Sequence, residues 1–325
     1  MKAIIINYAL FLFICNTAFG QLSSFRPGEI WNDTEGNVIN AHGGGILYHE
    51  GVYYWFGEKR GRSKSEGVNV YSSKDLYNWK LEALALAQDE DSTSDIAKGC
   101  IMERPKVIYN AKTKKFVMWF HLELRGKGYK AARAGVAVSE KVTGPYRFIK
   151  SFRPNGNMSR DMTLFVDDDG SAYHVYASDE NYDLRIAKLS DDFLSPTAED
   201  TLLFRAHREA PALFKSHGMY YLITSGCTGW APNKATLHTA HSLWGPWQLS
   251  EQNPMRGPDA DLTFGAQSTY VLPVQGSAGK FIFIADKWNP KNLIDSRYIW
   301  LPVSFAVAGT PYVQWIEEWK LNGMK

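Results

Sequence analysis

The stretch His207-Arg208-Glu209-Ala210-Pro211-Ala212-Leu213-Phe214 places a carboxylate two residues before a proline, at the head of an apolar run. A short polar turn follows at 215–218, and a second apolar run rich in tyrosine and isoleucine follows at 219–223. Runs of this composition on either side of a glycine-containing turn are typical of paired β-strands. The segment is therefore a polar residue, a strand, a turn and a second strand, and we call the polar residue its anchor.

The same order recurs four more times along the chain. The anchors lie roughly fifty to sixty residues apart, and a repeat of this length built from short strands is typical of a propeller with one blade per repeat. We therefore predict an all-β fold, a five-bladed β-propeller. In chain order the five anchors are His42, Glu103, Asp161, Glu209 and Gln267.

Smaller features agree with this prediction. Gly144-Pro145-Tyr146 and Gly245-Pro246-Trp247 occupy equivalent places in the second and fourth repeats. The acidic segment 167–170 resembles a calcium loop, but it lacks the alternating ligands and terminal glutamate of an EF-hand, so we predict a hairpin turn. Residues 314–319 are predicted as a last strand that closes the ring against the N-terminal segment.

The first twenty residues differ from the rest of the chain. A lysine precedes an apolar run, and small residues follow at positions 18 and 20, which is the pattern of a secretory signal peptide. The apolar run is too short for a membrane span. We expect residues 1–20 to be a signal peptide and residues 21–325 to be a single catalytic propeller domain, secreted or periplasmic.

Charge and cysteine content narrow the function further. The chain has 36 basic and 34 acidic residues and no block of like charge, so nucleic-acid or membrane-surface binding gains no support.

Cys100 and Cys227 remain after the leader, and they either form a disulfide or stay as inert buried thiols. The histidines lack ligand spacing, so we expect no metal and no cofactor.

The anchors are predicted to meet. The first strand of each propeller blade lines the central channel, so five polar residues at strand heads should converge on one pocket, although each could instead cap its own strand. Several carboxylates in a tryptophan-rich pocket of an exported protein indicate glycoside hydrolysis. This reaction needs a proton donor for the leaving oxygen, and a group that activates or positions a water molecule on the opposite face of the sugar ring. Glu209 is the best donor candidate, and Asp161 would tune its pKa.

Three glycines, Gly43, Gly44 and Gly45, open the inner strand of the first repeat. Glycines at such a position either allow a ligand to approach the backbone closely or leave room in a crowded hub. The sequence supports both interpretations equally.

Glu209-Ala210-Pro211 and the segment 160–170 resemble the general-acid and pKa-modulator motifs of glycoside hydrolase family 43, whose members are five-bladed propellers that act with inversion. The usual first motif of that family carries an aspartate as general base, whereas residues 41–44 contain no carboxylate. The second repeat also has Glu103-Arg104-Pro105 where the family more often has Trp-Ala-Pro.

These departures, together with residues 39–45, resemble the exo-β-1,3-galactanase branch of the family. That branch carries a glutamine at the head of blade five, proposed to act as a base through its imidic tautomer. The resemblance implies Gln267 as base or water-holder, with Glu103 and Asp161 as carboxylates that position sugar hydroxyls or tune the acid Glu209. Whether Glu209 or Glu103 donates the proton stays open. Rim residues expected to contact galactose are Glu58, Tyr129, Asn181, Thr228 and Trp230.

The resemblance implies an inverting hydrolase that releases galactose from the non-reducing end of β-1,3-galactan, the arabinogalactan backbone. With the signal peptide we expect this enzyme to be secreted, and we expect it to be a monomer. A neutral amide is a poor proton acceptor, because general bases work best with a pKa near the operating pH. Two alternatives therefore stay open: a weakly active or inactive galactan-binding propeller, and a family 43 arabinofuranosidase or xylosidase.

Overall fold

The structure, a computed structural model, describes residues 21–62, 64–307 and 309–324. The described chain forms five sheets, one for each predicted repeat, and these sheets are the blades of a β-propeller. All strand pairs are antiparallel except one short pair in blade five. The predicted all-β, five-bladed fold is therefore confirmed. The predicted signal peptide, residues 1–20, lies outside the described residues. No helix in the described ranges is long and apolar enough to cross a membrane.

The blades follow the chain in order, and each inner strand begins beside its anchor. Blade one contains β1 (His42–His49), β2 (Val52–Arg60), β3 (Ser65–Ser73) and β4 (Lys80–Ala87). Blade two contains β5 (Ile101–Asn110), β6 (Lys115–Glu123), β7 (Arg133–Ser139) and β8 (Arg147–Phe152). Blade three contains β9 (Met162–Val166), β10 (Ala172–Ser178), β11 (Asp183–Leu189) and β12 (Pro196–Arg205).

Blade four contains β13 (Arg208–Ser216), β14 (Met219–Gly226), β15 (Thr236–Ala240) and β16 (Gln248–Leu249). Blade five is completed by β17 (Met255–Arg256), which pairs in parallel with the outermost strand. The other four strands of blade five are β18 (Gln267–Pro273), β19 (Phe281–Lys287), β20 (Arg297–Phe305) and β21 (Pro311–Gln314). Short 3-10 helices lie at Gly128–Lys130, Pro154–Gly156, Ala260–Gly265, Leu293–Asp295 and Leu321–Gly323.

Apolar side chains fill the spaces between neighbouring blades. Because side chains alternate along a strand, each blade presents one apolar set to each neighbour. Phe56 and Phe120 lie in the cluster between blades one and two, and Trp119 and Tyr176 lie in the cluster between blades two and three. Packing between blades therefore fixes the position of every inner strand around the channel.

The ring closes differently from the prediction. β21 ends at Gln314, so the predicted strand 314–319 is wrong in extent. The opposing strand β20 carries Pro302 next to this point, and a proline cannot donate a ladder hydrogen bond. The closure against the N-terminal segment is instead a single bridge, in which Phe25 and Trp319 exchange N–H···O bonds of 2.8 and 3.1 Å.

The predictions for the two Gly-Pro-aromatic segments and for the turn at 167–170 are confirmed. Residues 144–146 and 245–247 both lie between the third and fourth strands of their blades. Residues 167–170 form the turn of the β9–β10 hairpin, where the Gly170 amide donates to the Asp167 carbonyl at 2.9 Å. The Asp167 carboxylate accepts a hydrogen bond from Lys215 of the next blade at 2.6 Å, so a side chain of the protein compensates the charge of this acidic turn.

Candidate active site

Four inner strands lose their regular pairing next to the anchor. Register shifts fall between His42 and Gly45, Glu103 and Lys106, Glu209 and Ala212, and Ser268 and Tyr270. Such β-bulges bend a strand and re-aim its side chains. The residue after the anchor has a positive φ in three blades, with 58° at Gly43, 55° at Arg104 and 54° at Ala210. The bulges therefore direct the strand heads towards the channel.

The same bulges join the blades. In three blades, the amide after the anchor leaves its own ladder and donates to a carboxylate of an adjacent blade, which is a charge-assisted bond. Each of these bonds fixes a carboxylate beside a strand head, and two of the three carboxylates, Glu58 and Asp161, line the channel pocket. The pairs are Gly43 with Asp286 at 3.0 Å, Arg104 with Glu58 at 2.8 Å, and Ala210 with Asp161 at 3.1 Å.

A pocket of about 270 Å³ opens above these bonds. A larger cavity, of about 360 Å³, lies beside the N-terminal segment, but its lining lacks a group of buried carboxylates. The channel pocket is therefore the candidate active site. Its walls are formed by Glu58, Arg60, Glu103, Arg104, Tyr129, Asp161, Glu209, Gly229, Trp230, Gln267 and Trp288.

Most of the predicted site residues meet in this pocket, and two lie just outside its walls. The Asn181 side chain donates to Glu209 Oε2 at 3.1 Å, so it supports the pocket from behind. Thr228 uses its hydroxyl within its own loop, where it donates to the Ala231 carbonyl at 2.6 Å. Glu58, predicted at the rim, is only 1% exposed and belongs to the wall.

His42 is the one anchor that does not line the pocket, so the predicted convergence of all five is wrong at this position. Its imidazole is fully buried, lies 3.2 Å from Asp286 Oδ1 and stacks on Tyr298. The place in the wall is taken by Glu58, which pairs with His42 across β1 and β2. A strand-head residue therefore reaches the pocket only if its neighbours leave the position free.

The glycines of β1 give room to charged side chains. A Cβ atom at Gly43 would lie 2.1 Å from Glu58 Oε1, and one at Gly45 would lie 2.5 Å from Lys106 Cδ. Lys106 is almost fully buried and donates to the Gly43 carbonyl at 2.9 Å. The structure therefore favours the crowded-hub interpretation of the three glycines.

Glu103 is surrounded by donors and cations. Arg60 Nη2 and the Tyr129 hydroxyl both donate to its Oε1 at 2.9 Å, and His121 Nδ1 lies 3.4 Å from its Oε2. Burial alone would raise the pKa of Glu103, but the His121 and Arg60 interactions outweigh it and hold the pKa well below its usual range. Glu103 is therefore an ionised carboxylate.

Glu209 has the opposite environment. Its two carboxyl oxygens face neutral amides, with Gln267 Nε2 at 2.8 Å from Oε1 and Asn181 Nδ2 at 3.1 Å from Oε2. Burial, and then the negative charge of Asp161, raise the pKa of Glu209 to about 7, against a smaller opposing effect of Arg104. Glu209 is therefore protonated in acidic solution. Burial also raises the pKa of Glu58 to about 7, but Glu58 is only 1% exposed and is paired with Arg60, so Glu209 is the better candidate to donate a proton.

The Gln267 amide uses all of its hydrogen-bonding positions. Its Oε1 accepts from Arg104 Nη2 and from Trp288 Nε1, the latter at 3.1 Å. Its Nε2 donates to Glu209 and to the Ser225 hydroxyl, at 2.8 and 3.1 Å. Side chains of three blades thus hold this amide directly against the carboxyl group of Glu209.

Sequence reasoning missed the functional side chains of the second strands. Residues opposite the anchors, and residues two positions further on, point to the same face of the blade. Counting this register from the anchors would have found them. The missed residues are Arg60, His121, Ser225, Asp286 and Trp288. Arg104 was also missed, because only its bulge turns its side chain into the pocket.

Glu103, His121 and Asp161 bring donor atoms within 4.8 Å of one another, a spacing that a metal ion could use. Burial disfavours a charged imidazole, but the ion-pair contact with Glu103 and the hydrogen bond to Glu123 raise the pKa of His121 to about 9. A histidine must be neutral to ligate a metal. Arg104 also binds Asp161 at 3.0 Å, so the cluster fits an ion-pair network and not a metal site.

The two described cysteines are free thiols, so the disulfide interpretation is wrong. Cys100 is buried and contacts Gln88 Nε2 at 3.6 Å, while the half-buried Cys227 donates to the His207 carbonyl at 3.4 Å. Burial raises the pKa of Cys100 to about 11 and that of Cys227 to about 12, so both are neutral.

A five-bladed propeller with paired carboxylates at its channel mouth has the architecture of a glycoside hydrolase. The profile of glycosyl hydrolases family 43 matches residues 42–288, and the chain therefore belongs to glycoside hydrolase family 43.

Solved structures place the chain within that family. A family 43 β-1,3-galactosidase, solved with galactodeoxynojirimycin, is 53% identical with a TM-score of 0.89 over 91% of this chain and 100% of that chain. The exo-β-1,3-galactanase of Phanerochaete chrysosporium, solved with β-1,3-galactotriose, is 37% identical with a TM-score of 0.85 over 92% and 68% of the two chains. That of Clostridium thermocellum is 40% identical with a TM-score of 0.83 over 91% and 66%. The resemblance to the galactanase branch is thus confirmed.

Curated sequence relatives are more distant and carry other names. The xylan 1,3-β-xylosidase of a Vibrio species is 24% identical over 206 residues, or 58% of this chain. The xylosidase/arabinosidase 43B of Humicola insolens is 25% identical over 205 residues. The chain spans only 37% and 36% of the length of these two proteins.

Proposed function

We propose that this chain is a secreted exo-β-1,3-galactanase that removes galactose from the non-reducing end of β-1,3-galactan with inversion. Support for the substrate comes from the galactan-active and galactose-related names of the solved neighbours, at 37% identity and above. The observation that carries the chemistry is the contrast between two glutamates in one pocket: Glu209 faces neutral amides and has a raised pKa, whereas Glu103 faces Arg60 and His121 and has a lowered pKa.

In this proposal Glu209 is the general acid. It gives its proton to the glycosidic oxygen as the bond to the anomeric carbon breaks, and a raised pKa suits this task. Asp161 sustains that pKa by its charge, and its Oδ2 is fixed by Arg104 and by the Ala210 amide at 3.0 and 3.1 Å. Asp161 therefore acts on the donor without taking the proton.

The size of the pocket supports release of single sugars. Its volume of about 270 Å³ lies below the ~300–1,000 Å³ of sites for drug-sized ligands, so it suits one sugar ring. Trp230, 44% exposed, and Trp288 form one wall, with ring centroids 5.4 Å apart. Aromatic faces of this kind pack against the apolar face of a sugar ring.

The opposite face of the sugar needs a group that handles water. Inversion places that group roughly 6.5–9.5 Å from the acid, whereas Gln267 Nε2 lies 2.8 Å from Glu209 Oε1. For Gln267 to act on that face, the sugar must enter between the two side chains, so that the Glu209–Gln267 hydrogen bond breaks and the two groups move apart. Once that bond is broken, Nε2 keeps only its bond to Ser225, while Oε1 still accepts two N–H groups, so Nε2 is the amide atom that can face water. Nε2 accepts a proton only as the imidic tautomer.

Product analysis tests the proposal. The protein is incubated with linear β-1,3-galactan, and the first-formed galactose is observed by proton NMR before mutarotation. Release of α-galactose supports an inverting galactanase. Chromogenic arabinofuranosides and xylosides are assayed in parallel, and turnover of these alone would replace the substrate. Binding to galactan without release would indicate a sugar-binding propeller.

Azide rescue identifies the base. In a variant without its base, azide attacks the anomeric carbon from the water side while Glu209 protonates the leaving oxygen, which yields α-galactosyl azide. Gln267→Ala should form this product, whereas Glu103→Ala should not. The reverse result would assign the base to Glu103. N-terminal sequencing of exported protein, with Gln21 as the expected first residue, tests secretion.

A further inference from the structure

Glu123 is a buried carboxylate at the end of β6 that the mechanism above does not use. It is 0% exposed and lies two residues beyond His121, on the same face of the strand. It does not line the pocket. Its Oε1 lies 2.9 Å from His121 Nε2, and its Oε2 accepts from the amides of Ala131 and Ala132 at 2.9 and 3.0 Å.

One of these oxygens controls a pocket loop. The chain leaves β6 after Glu123 and returns at Ala132, which has a positive φ of 45°. Between them lies Tyr129, whose hydroxyl donates to Glu103 Oε1 at 2.9 Å. The Ala131 and Ala132 amides are the contact that ties the returning end of this loop to the start. Glu123 thus helps to position Tyr129, together with Arg160, which donates to the Tyr129 carbonyl at 2.8 Å.

The other oxygen controls an imidazole. His121 is buried between Glu123 and Glu103, and its Nδ1 lies 3.4 Å from Glu103 Oε2 and 4.0 Å from Asp161 Oδ1. The aromatic ring of Tyr129 lies 5.9 Å from the imidazole. Acidic groups therefore face this imidazole from β5, from β6 and from the head of β9.

The remaining charges around Glu103 come from blade one. Arg60 bonds to Glu103 and also pairs with Glu58. The guanidinium is therefore shared between two carboxylates, whereas the imidazole of His121 is turned to Glu103 by Glu123. Without Glu123, nothing in the described contacts of Nε2 would fix the orientation of that ring.

We propose that Glu123 is a positioning residue for the hydrolytic reaction, which holds the imidazole of His121 against Glu103 with one oxygen and the Tyr129 loop with the other. Glu103 is then fixed from both sides as an ionised carboxylate. The inference rests on the function proposed above for its kinetic readout, but the titration of His121 reports on it independently of any substrate.

Glu123→Gln is the informative variant, because its amide oxygen can still accept the Ala131 and Ala132 amides while the charge is lost. The pKa of His121, followed by NMR of the imidazole in the full-length protein, should fall by at least one unit. For a shift of one unit, from about 9 to about 8, the ratio of variant to wild-type kcat/KM on β-1,3-galactan should fall about twofold between pH 5 and pH 8, since the imidazole becomes neutral earlier. Glu123→Asp keeps the charge and should restore both values towards wild type.

The matched control is Asp200→Asn. Asp200 is also a buried carboxylate, paired with Arg185 and accepting from Tyr176 in blade three, outside the pocket. It should lower the thermal midpoint and leave the pH dependence of the ratio flat. An unchanged His121 titration in Glu123→Gln would overturn the inference, as would an equal pH effect in Asp200→Asn. Inactive wild-type protein would count against the proposed function alone, because the titration still decides the role of Glu123.

Discussion

The inner strands β5 and β13 begin alike and carry opposite chemistry. Each places a glutamate two residues before a proline, in Glu103-Arg104-Pro105 and in Glu209-Ala210-Pro211. Each has a bulge directly after the glutamate, with a left-handed residue at φ 55° in one and 54° in the other. The proline falls inside the bulge in both strands, where no ladder donor is needed. The backbone thus presents two glutamates in the same way.

The difference comes from the neighbours. Glu103 faces His121 on its own blade and Arg60 from the blade before, whereas Glu209 faces Ser225 across its hairpin and Gln267 from the blade after. Cations favour an ionised carboxylate, and burial among neutral groups favours a protonated one. The second strand and the adjacent blade, and not the Glu-X-Pro pattern, therefore decide which glutamate holds a proton.

The largest effect is expected at Glu209. In Glu209→Gln, kcat on β-1,3-galactan should fall by ~10³, within the 10²–10⁴ range of general acid catalysis. The unfolding free energy should stay nearly constant, because an amide replaces a neutral carboxyl group of the same shape. Steady-state kinetics and urea unfolding measure the two quantities. The exposed Glu140→Gln is the control, and full activity of Glu209→Gln would remove Glu209 as the donor.

Glu103→Gln should behave differently. Arg60 and His121 would lose the charge that compensates their burial, and breaking one side of a buried ion pair costs ~3–5 kcal/mol. We expect a stability loss of that order, with kcat reduced by about 10² because the position of the Tyr129 hydroxyl changes as well. Urea unfolding shows the stability difference directly. If this variant were as stable as Glu209→Gln, the contrast between the two glutamates would be wrong.

Much of this molecule was predictable from the sequence, and the missing part has a physical cause. The repeat of strand, turn and strand indicated five blades, and four anchors were placed in the pocket because polar residues head otherwise apolar strands. His42 fits the same pattern but is buried, since Glu58 takes its place in the wall. The sequence of one strand does not show which of two paired residues on neighbouring strands will line the pocket.

The side chains that set the charges were harder to predict. Arg104 extends from blade two to Gln267 of blade five, a contact that depends on a bulge and on the closure of the ring. Trp288 lies beyond the end of β19, two positions after the residue opposite Gln267. Predicting either contact requires knowledge of the register between strands. Such contacts also decide which of the two glutamates, Glu103 or Glu209, is ionised and which can donate a proton.

The pH dependence of catalysis is a smaller test of the same contrast. Because Glu209 must be protonated to act and its pKa is raised to about 7, kcat/KM should fall about tenfold per pH unit above that value. Ionisation of Glu103 should cause no further change in kcat/KM near neutral pH, because the pKa of Glu103 is held low. In Asp161→Asn, loss of the neighbouring charge should move the limb down by about one unit. A limb that moved upward in pH–rate profiles would contradict the assigned role of Asp161.

The smallest effect concerns the bulge itself. A non-glycine residue in the left-handed region costs roughly 1–2 kcal/mol, while glycine loses roughly 0.5–1 kcal/mol more than alanine through backbone entropy. In Ala210→Gly these terms oppose each other, and the amide that donates to Asp161 is kept, so the unfolding free energy should change by less than ~1 kcal/mol. Ala210→Val should cost more, since a β-branched residue at positive φ is strained. Urea unfolding of both variants separates the terms: equal stabilities would mean that the bulge relaxes, and that the two strands share their sequence pattern without sharing a rigid backbone.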